Sequence, residues 1–168
     1  MNITDTISDT YTDVWQWREK SAAWFVIPDT ADALAFAVTE AGEAVDAWLR
    51  QVGPKKGFKR NNHRDADIWA ELGDCFFMCA TALGRGETEL PDHLWQSSEL
   101  VLPDIVEFVA KAWKVYVKQR IPYLSRWYTK QAMYQIAALF ADNGHDLRAT
   151  VQARLERLEA KHKEGITI

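Results

Sequence analysis

The chain has 168 residues, 48% of them hydrophobic, with a formal net charge of −4 and a pI near 5.6. That length buries a sizeable core without disulfides or structural metal, and the acidic balance excludes a general binder of polymeric nucleic acid. No apolar run reaches the roughly 18 residues of a membrane span and the N-terminus lacks the basic and apolar segments of an export signal, so a cytoplasmic location is expected.

Taken in order, Asn2 to Thr10 is rich in Thr, Ser and Asp and is expected to be frayed until a helix begins near Thr12 or Asp13 and runs to about 27. This helix carries Trp15 and Trp17, with Trp24 and Phe25 close behind. Flat indoles there can stack a nucleobase or fill a core or a subunit interface. Asp29 or Thr30 caps a second helix expected over 30–51 and stopped by Gly53-Pro54. A basic stretch follows, in which Lys55, Lys56, Lys59 and Arg60 are candidates for holding phosphate, the alternative being a solvated loop. Asp65 or Asp67 opens a third helix, expected over 65–84, in which Cys75 and Cys79 stand four apart as reduced core residues. Two aromatic helices, roughly 104–120 and 123–142, are broken by Pro122 and lie within an insertion of about 90–143. Asn143-Gly144 ends them, and a last helix over about 146–163 alternates basic and acidic residues in the manner of an exposed, ion-paired surface. All of this describes one all-α domain.

Two acidic signatures stand out, Glu40-Ala-Gly-Glu43 and Glu71-Leu-Gly-Asp74, each inside an apolar helical stretch. Helical positions i and i+3 lie about 60° apart, so both carboxylates of each pair leave one face. Four acids on largely buried helices must take up protons or recruit a counter-charge, and a divalent cation is the simplest one. An all-oxygen ligand set favours a hard ion, Mg²⁺ or Mn²⁺, over zinc.

The arrangement E-x-x-E, about 27 intervening residues and E-x-x-D, together with Val14-Trp-Gln-Trp-Arg18 ahead of it, resembles the MazG-like all-α nucleoside triphosphate pyrophosphohydrolases, a group that includes dimeric dUTPases and dCTP pyrophosphatases. The resemblance covers roughly residues 14 to 84, with a weaker echo at the C-terminus. It implies a helical bundle of that type, with Glu40, Glu43, Glu71 and Asp74 holding Mg²⁺, Glu43 as general base, and hydrolysis of a nucleoside triphosphate to monophosphate and pyrophosphate. It also implies a homodimer or homotetramer, with Trp15 and Trp17 bordering the substrate and the last helix reaching the nucleotide through Arg154 and Lys161. The chain departs from the pattern at Thr39, where a further Glu is common, and at Leu158, where the family has Asn. Two other classes fit parts of the sequence: a non-catalytic helical regulatory or assembly module, and a carboxylate-bridged di-metal protein, for which Glu159-Ala-Lys-His162 supplies a single Glu-x-x-His where two are needed.

Overall fold

The computed structural model describes residues 2–51, 67–86 and 102–165, and among them the chain is all-helical, with no strand. Six α-helices follow in order: α1 Ile3–Ser21, α2 Thr30–Gln51, α3 Ile68–Leu83, α4 Leu102–Lys114, α5 Pro122–Asp142 and α6 Leu147–Lys163. A π-helical turn, Val115–Gln119, prolongs α4, and Arg120 closes it with φ 55°, a left-handed backbone unusual outside glycine. Pro122 then starts α5, where its missing N–H goes unneeded.

Of the alternatives the sequence offers, Asp29 and Asp67 are the caps, and Asp146 caps the last helix. Asp29 accepts from Asp32 N at 2.9 Å, Asp67 from Trp69 N at 3.1 Å and Asp146 from Ala149 N at 3.0 Å. Helix α1 corrects expectation, running from Ile3 to Ser21 rather than from about 13 to 27. Asn2 caps it, and Ile7, Tyr11 and Val14 form a buried stripe at helical spacing beneath the polar residues. The hydroxyls that suggested a frayed end are absorbed by the helix itself, with Thr6 donating to Asn2 O, Thr10 to Thr6 O and Thr12 to Ser8 O.

Helix α3 is the centre of the bundle, in contact with α1, α2, α5 and α6. Eleven of its sixteen residues are buried. A helix wrapped in this way is apolar nearly all round, and its less buried positions include Glu71, Asp74 and Met78, spaced i, i+3, i+7 along one stripe. Helix α2 packs against it along Ala33, Ala37, Ala41, Ala44 and Ala47, all buried. Small side chains let the two backbones come close, and the Cys75 thiol donates across the seam to Ala37 O at 3.4 Å. Thr30 meets Ala82, Ala37 meets Cys75 and Glu40 meets Glu71, which defines an antiparallel register. Helices α4 and α5 pair with each other and pack on α2 and α3 respectively, so the aromatic segment extends the bundle, with Phe108, Trp127 and Tyr128 in mutual ring contact.

Helix α6 lies on α3 at a close approach set by Gly73. A Cβ at Gly73 would stand 2.8 Å from Thr150 Cγ2, whereas one at Gly42, the matching glycine of the first signature, would meet nothing. On its other side α6 is clamped to α1 by Arg148, whose guanidinium grips Asp13 at 2.6 and 3.0 Å and reaches Asp9 at 3.0 Å.

Arg18 is 0% exposed. Its Nη2 donates to the Thr81 hydroxyl, and the guanidinium lies 4.6 Å from the Phe77 ring centroid and 5.4 Å from that of Phe25. Among the described residues Nε and Nη1 find no acceptor, and burial pulls the pKa down from 12.5 to about 10, so the group stays charged at neutral pH.

Two stability experiments follow from this packing. Gly73→Ala is expected to lower the thermal midpoint, because overpacking of about 1–3 kcal/mol exceeds the helix-propensity gain, and Gly73→Ala/Thr150→Ser is expected to restore it by removing the methyl that clashes. Arg18→Met is expected to leave the midpoint unchanged or raise it, since an apolar side chain of similar volume relieves the desolvation of a lone guanidinium. Thermal unfolding followed by circular dichroism reads both.

Candidate metal centre

The antiparallel seam of α2 and α3 carries the acids. In that register Glu40 and Glu43, on the edge of the alanine stripe, face Glu71, and one carboxylate oxygen from each of the three lies within 4.8 Å of the others. Around an octahedral magnesium the oxygens stand about 3.0 Å apart at neighbouring positions and about 4.2 Å apart across the ion, so three carboxylates gathered this closely can reach one ion by rotamer adjustment. Among the described residues the cluster contains neither nitrogen nor sulfur donors, which suits a hard cation.

Electrostatics show what the three acids cost in the metal-free protein. Burial first, then the charge of Asp74, raise the Glu40 pKa from the usual 4.5 to about 8. Glu40 therefore keeps its proton near neutrality and donates it to Glu71, a hydrogen bond that raises the affinity of Glu40 for the proton and lowers that of Glu71. Burial also raises the Glu71 and Asp74 values, against the pull of Arg154 on both.

Asp74 stands slightly apart. It belongs to the same stripe of α3 as Glu71, yet its partner is Arg154 of α6, whose Nε lies 3.2 Å from Oδ1. The contact is one of charge alone, because both atoms are sealed from solvent and neither has a well-directed hydrogen bond among the described residues. A buried carboxylate oxygen without a directed donor among the described residues, beside two carboxyls sharing a proton, leaves lone pairs and negative charge that a divalent cation would satisfy. The residues present thus fit a hard divalent ion.

The remaining candidates divide. Arg154 reaches the cluster directly, and Lys161 acts on Asp74 through its charge, as does Arg157, which sequence reasoning missed. The signal for Arg157 was present: residues 154, 157 and 161 follow i, i+3, i+7 on one face of α6. Trp15 spends its indole N–H on Ala80 O at 3.2 Å. Trp17 is 5% exposed and packs edge-on against Trp24, Phe25 and Phe77, with its Nε1 lacking an acceptor among the described residues. The bases Lys55, Lys56, Lys59 and Arg60 lie outside the described residues. His162, the histidine of the Glu-x-x-His segment, stacks on Trp24 at 4.1 Å and is not part of the acid cluster. The cysteines are free and buried, and the Cys75 thiol is pushed well above its ordinary pKa, first by its hydrogen bond with Cys79 and then by burial, which keeps it protonated. No helix among the described residues is long and apolar enough to cross a membrane. Comparison of the chain with protein-family models, with curated proteins and with solved structures gives no match.

The shared proton makes stability depend on pH in a direction opposite to that of an ordinary ion-paired carboxylate. An acid whose pKa rises on folding binds more protons folded than unfolded, so its contribution is full below about 4.5 and is lost as the pH climbs through about 8. With divalent ions chelated, the thermal midpoint is expected to fall between pH 5 and pH 8. Glu40→Gln, facing the same Glu43, Glu71, Asp74 and Arg154, should flatten that slope and exceed the wild type at pH 8 while matching it at pH 5. A wild-type midpoint that does not fall over this window would show that Glu40 does not hold the proton.

Proposed function

We propose that this protein is a magnesium-dependent nucleoside triphosphate pyrophosphohydrolase of the MazG-like all-α group, cleaving a ribo- or deoxyribonucleoside triphosphate to the monophosphate and pyrophosphate. The observation that carries this reading is the convergence of Glu40, Glu43 and Glu71 from two antiparallel helices to within 4.8 Å, with Asp74 beside them. Three of the four acids of the sequence signature meet in space and the fourth stands beside them, where a spacing alone could have scattered them.

Bound magnesium, or manganese in its place, would neutralise the triphosphate and acidify a water for attack. Glu40, Glu71 and Asp74 would hold the ion with Glu43, whose half-buried carboxylate is also the proton acceptor for the attacking water. Water oxygen attacks the α-phosphorus, the bond from that phosphorus to the α,β-bridging oxygen breaks, and the pair of electrons leaves with pyrophosphate. Arg154, Arg157 and Lys161 form a cationic stripe beside the cluster, placed to stabilise charge on the leaving group. Oxygen-only convergence, with His162 stacked on Trp24, supports this reading over a di-metal protein of the two-histidine kind. The exposed Phe36, Trp48 and Trp113 support association with further copies of the chain, and the expected setting is the cytoplasm, on free nucleotides.

The test is pyrophosphate release from a panel of standard and modified nucleoside triphosphates, with Mg²⁺ present or chelated. Metal-dependent release is expected, and Glu43→Gln should reduce it by about 10²–10⁴-fold while leaving the fold intact. Absence of release from every nucleotide tried, by folded protein, would instead favour a helical regulatory or assembly module.

A further inference from the structure

The cluster contains its own cation. Arg154 enters from α6, a different helix from those that supply the acids, and places Nε 3.2 Å from Asp74 Oδ1. Two features make this an unusual ion pair. The guanidinium does not direct a hydrogen bond at the oxygen it neutralises, although both atoms are buried. Asp74 also stands outside the group of three carboxylates that converge within 4.8 Å, although it projects from the same stripe of α3 as Glu71. Held by Arg154, Asp74 faces a monovalent partner of poor geometry where its three neighbours face one another.

Resting on the metal-site reading above, we propose that Arg154 is a displaceable internal counter-ion, which competes with the divalent cation for Asp74 and sets the affinity of the centre. A guanidinium on Oδ1 offsets the carboxylate charge and repels a dication at the same group, so the ion holds its fourth acidic ligand more tightly when Arg154 withdraws. Withdrawal is open to it: the Arg154 side chain is 28% exposed against 15% for Asp74, so the arginine has a path to solvent while the acid stays in place. Arg157 and Lys161, further along α6 and also positive, favour that withdrawal once a dication balances Asp74. Arg154 is thus a positioning residue of the metal centre, separate from any role in holding phosphate.

The experiment measures Mn²⁺ binding to the full chain, from the free-ion electron paramagnetic resonance signal, without nucleotide and without reference to turnover. Arg154→Met is expected to bind Mn²⁺ about tenfold or more tightly than the wild type, the scale on which groups contacting a metal ligand tune affinity. Arg154→Lys, which keeps the charge, should stay near the wild type. Arg154→Met/Asp74→Asn should lose the whole gain, because the gain runs through Asp74. If Arg154→Met is unstable without metal, Arg154→Gln removes the charge and keeps a hydrogen-bonding group for Asp74, with the same tightening expected. Wild type that binds Mn²⁺ with a charge-removing variant of equal or weaker affinity would overturn the proposal and leave the metal site standing. Failure of wild type and variants alike to bind Mn²⁺ would overturn both, and Arg154 would then be a structural partner of Asp74.

Discussion

The close antiparallel contact of α2 with α3 is the constraint on which the rest depends. Alanines at five buried positions of α2 remove the bulk that would hold the helices apart, so side chains at the edge of the seam are forced together. Were those edge residues apolar, this would be an ordinary hydrophobic contact. They are Glu40, Glu43 and Glu71, and their approach opposes the packing that creates it. Apolar burial on α3 outweighs the repulsion: Leu72, Cys75, Phe76, Cys79 and Ala80 are fully or nearly fully buried against the surrounding helices.

The repulsion is then reduced by two devices of different reach. The proton on Glu40 acts within the seam, turning one repulsive pair into a hydrogen bond with Glu71. Arg154 acts from outside it, and its placement depends on geometry far from any acid. Gly73 lets α6 settle against α3, while the fork of Arg148 on Asp13 and Asp9 ties the same helix to α1. Those two contacts fix the rotation of α6, and with it the direction of the 154, 157, 161 stripe. The charge alternation that reads as a solvated surface is therefore divided by face: one side of α6 clamps α1, another supplies positive field to the acid cluster.

Particular residues show how far the sequence carried. The bounds of α2, and Asp29 and Asp67 as one of two candidate caps for each helix, were legible because caps and breakers act locally, within a few residues of the chain. The convergence of Glu40 and Glu43 on Glu71 was legible in kind, since each pair shares a helical face and a hairpin of helices brings such faces together. The start of α1 was not. Thr6 and Thr10 belong to a polar stretch expected to fray, and it is burial against the bundle that makes their hydroxyls bond back into the helix. Nor was the pairing of Asp74 with Arg154, eighty positions on in the chain, because long-range ion pairs follow from tertiary packing and leave no periodic trace. Trp17 illustrates the same limit: an indole suited to stacking on a base is indistinguishable in sequence from one suited to stacking on Phe25 and Phe77.

A purely structural account of the seam meets a physical objection. Buried ionisable groups are rarely the most stabilising choice, and neutral side chains of similar size at 40, 71 and 74 would need neither a trapped proton nor an imported arginine. The fold bears these costs at one place, on a stripe of its central helix left partly open, and there leaves a carboxylate oxygen without a directed donor among the described residues. Where local consistency fails while the surrounding packing is sound, the failing residues are candidates for function. Here the failure has a sign and a valence, negative charge in excess of what one guanidinium can balance, and a divalent cation would answer both.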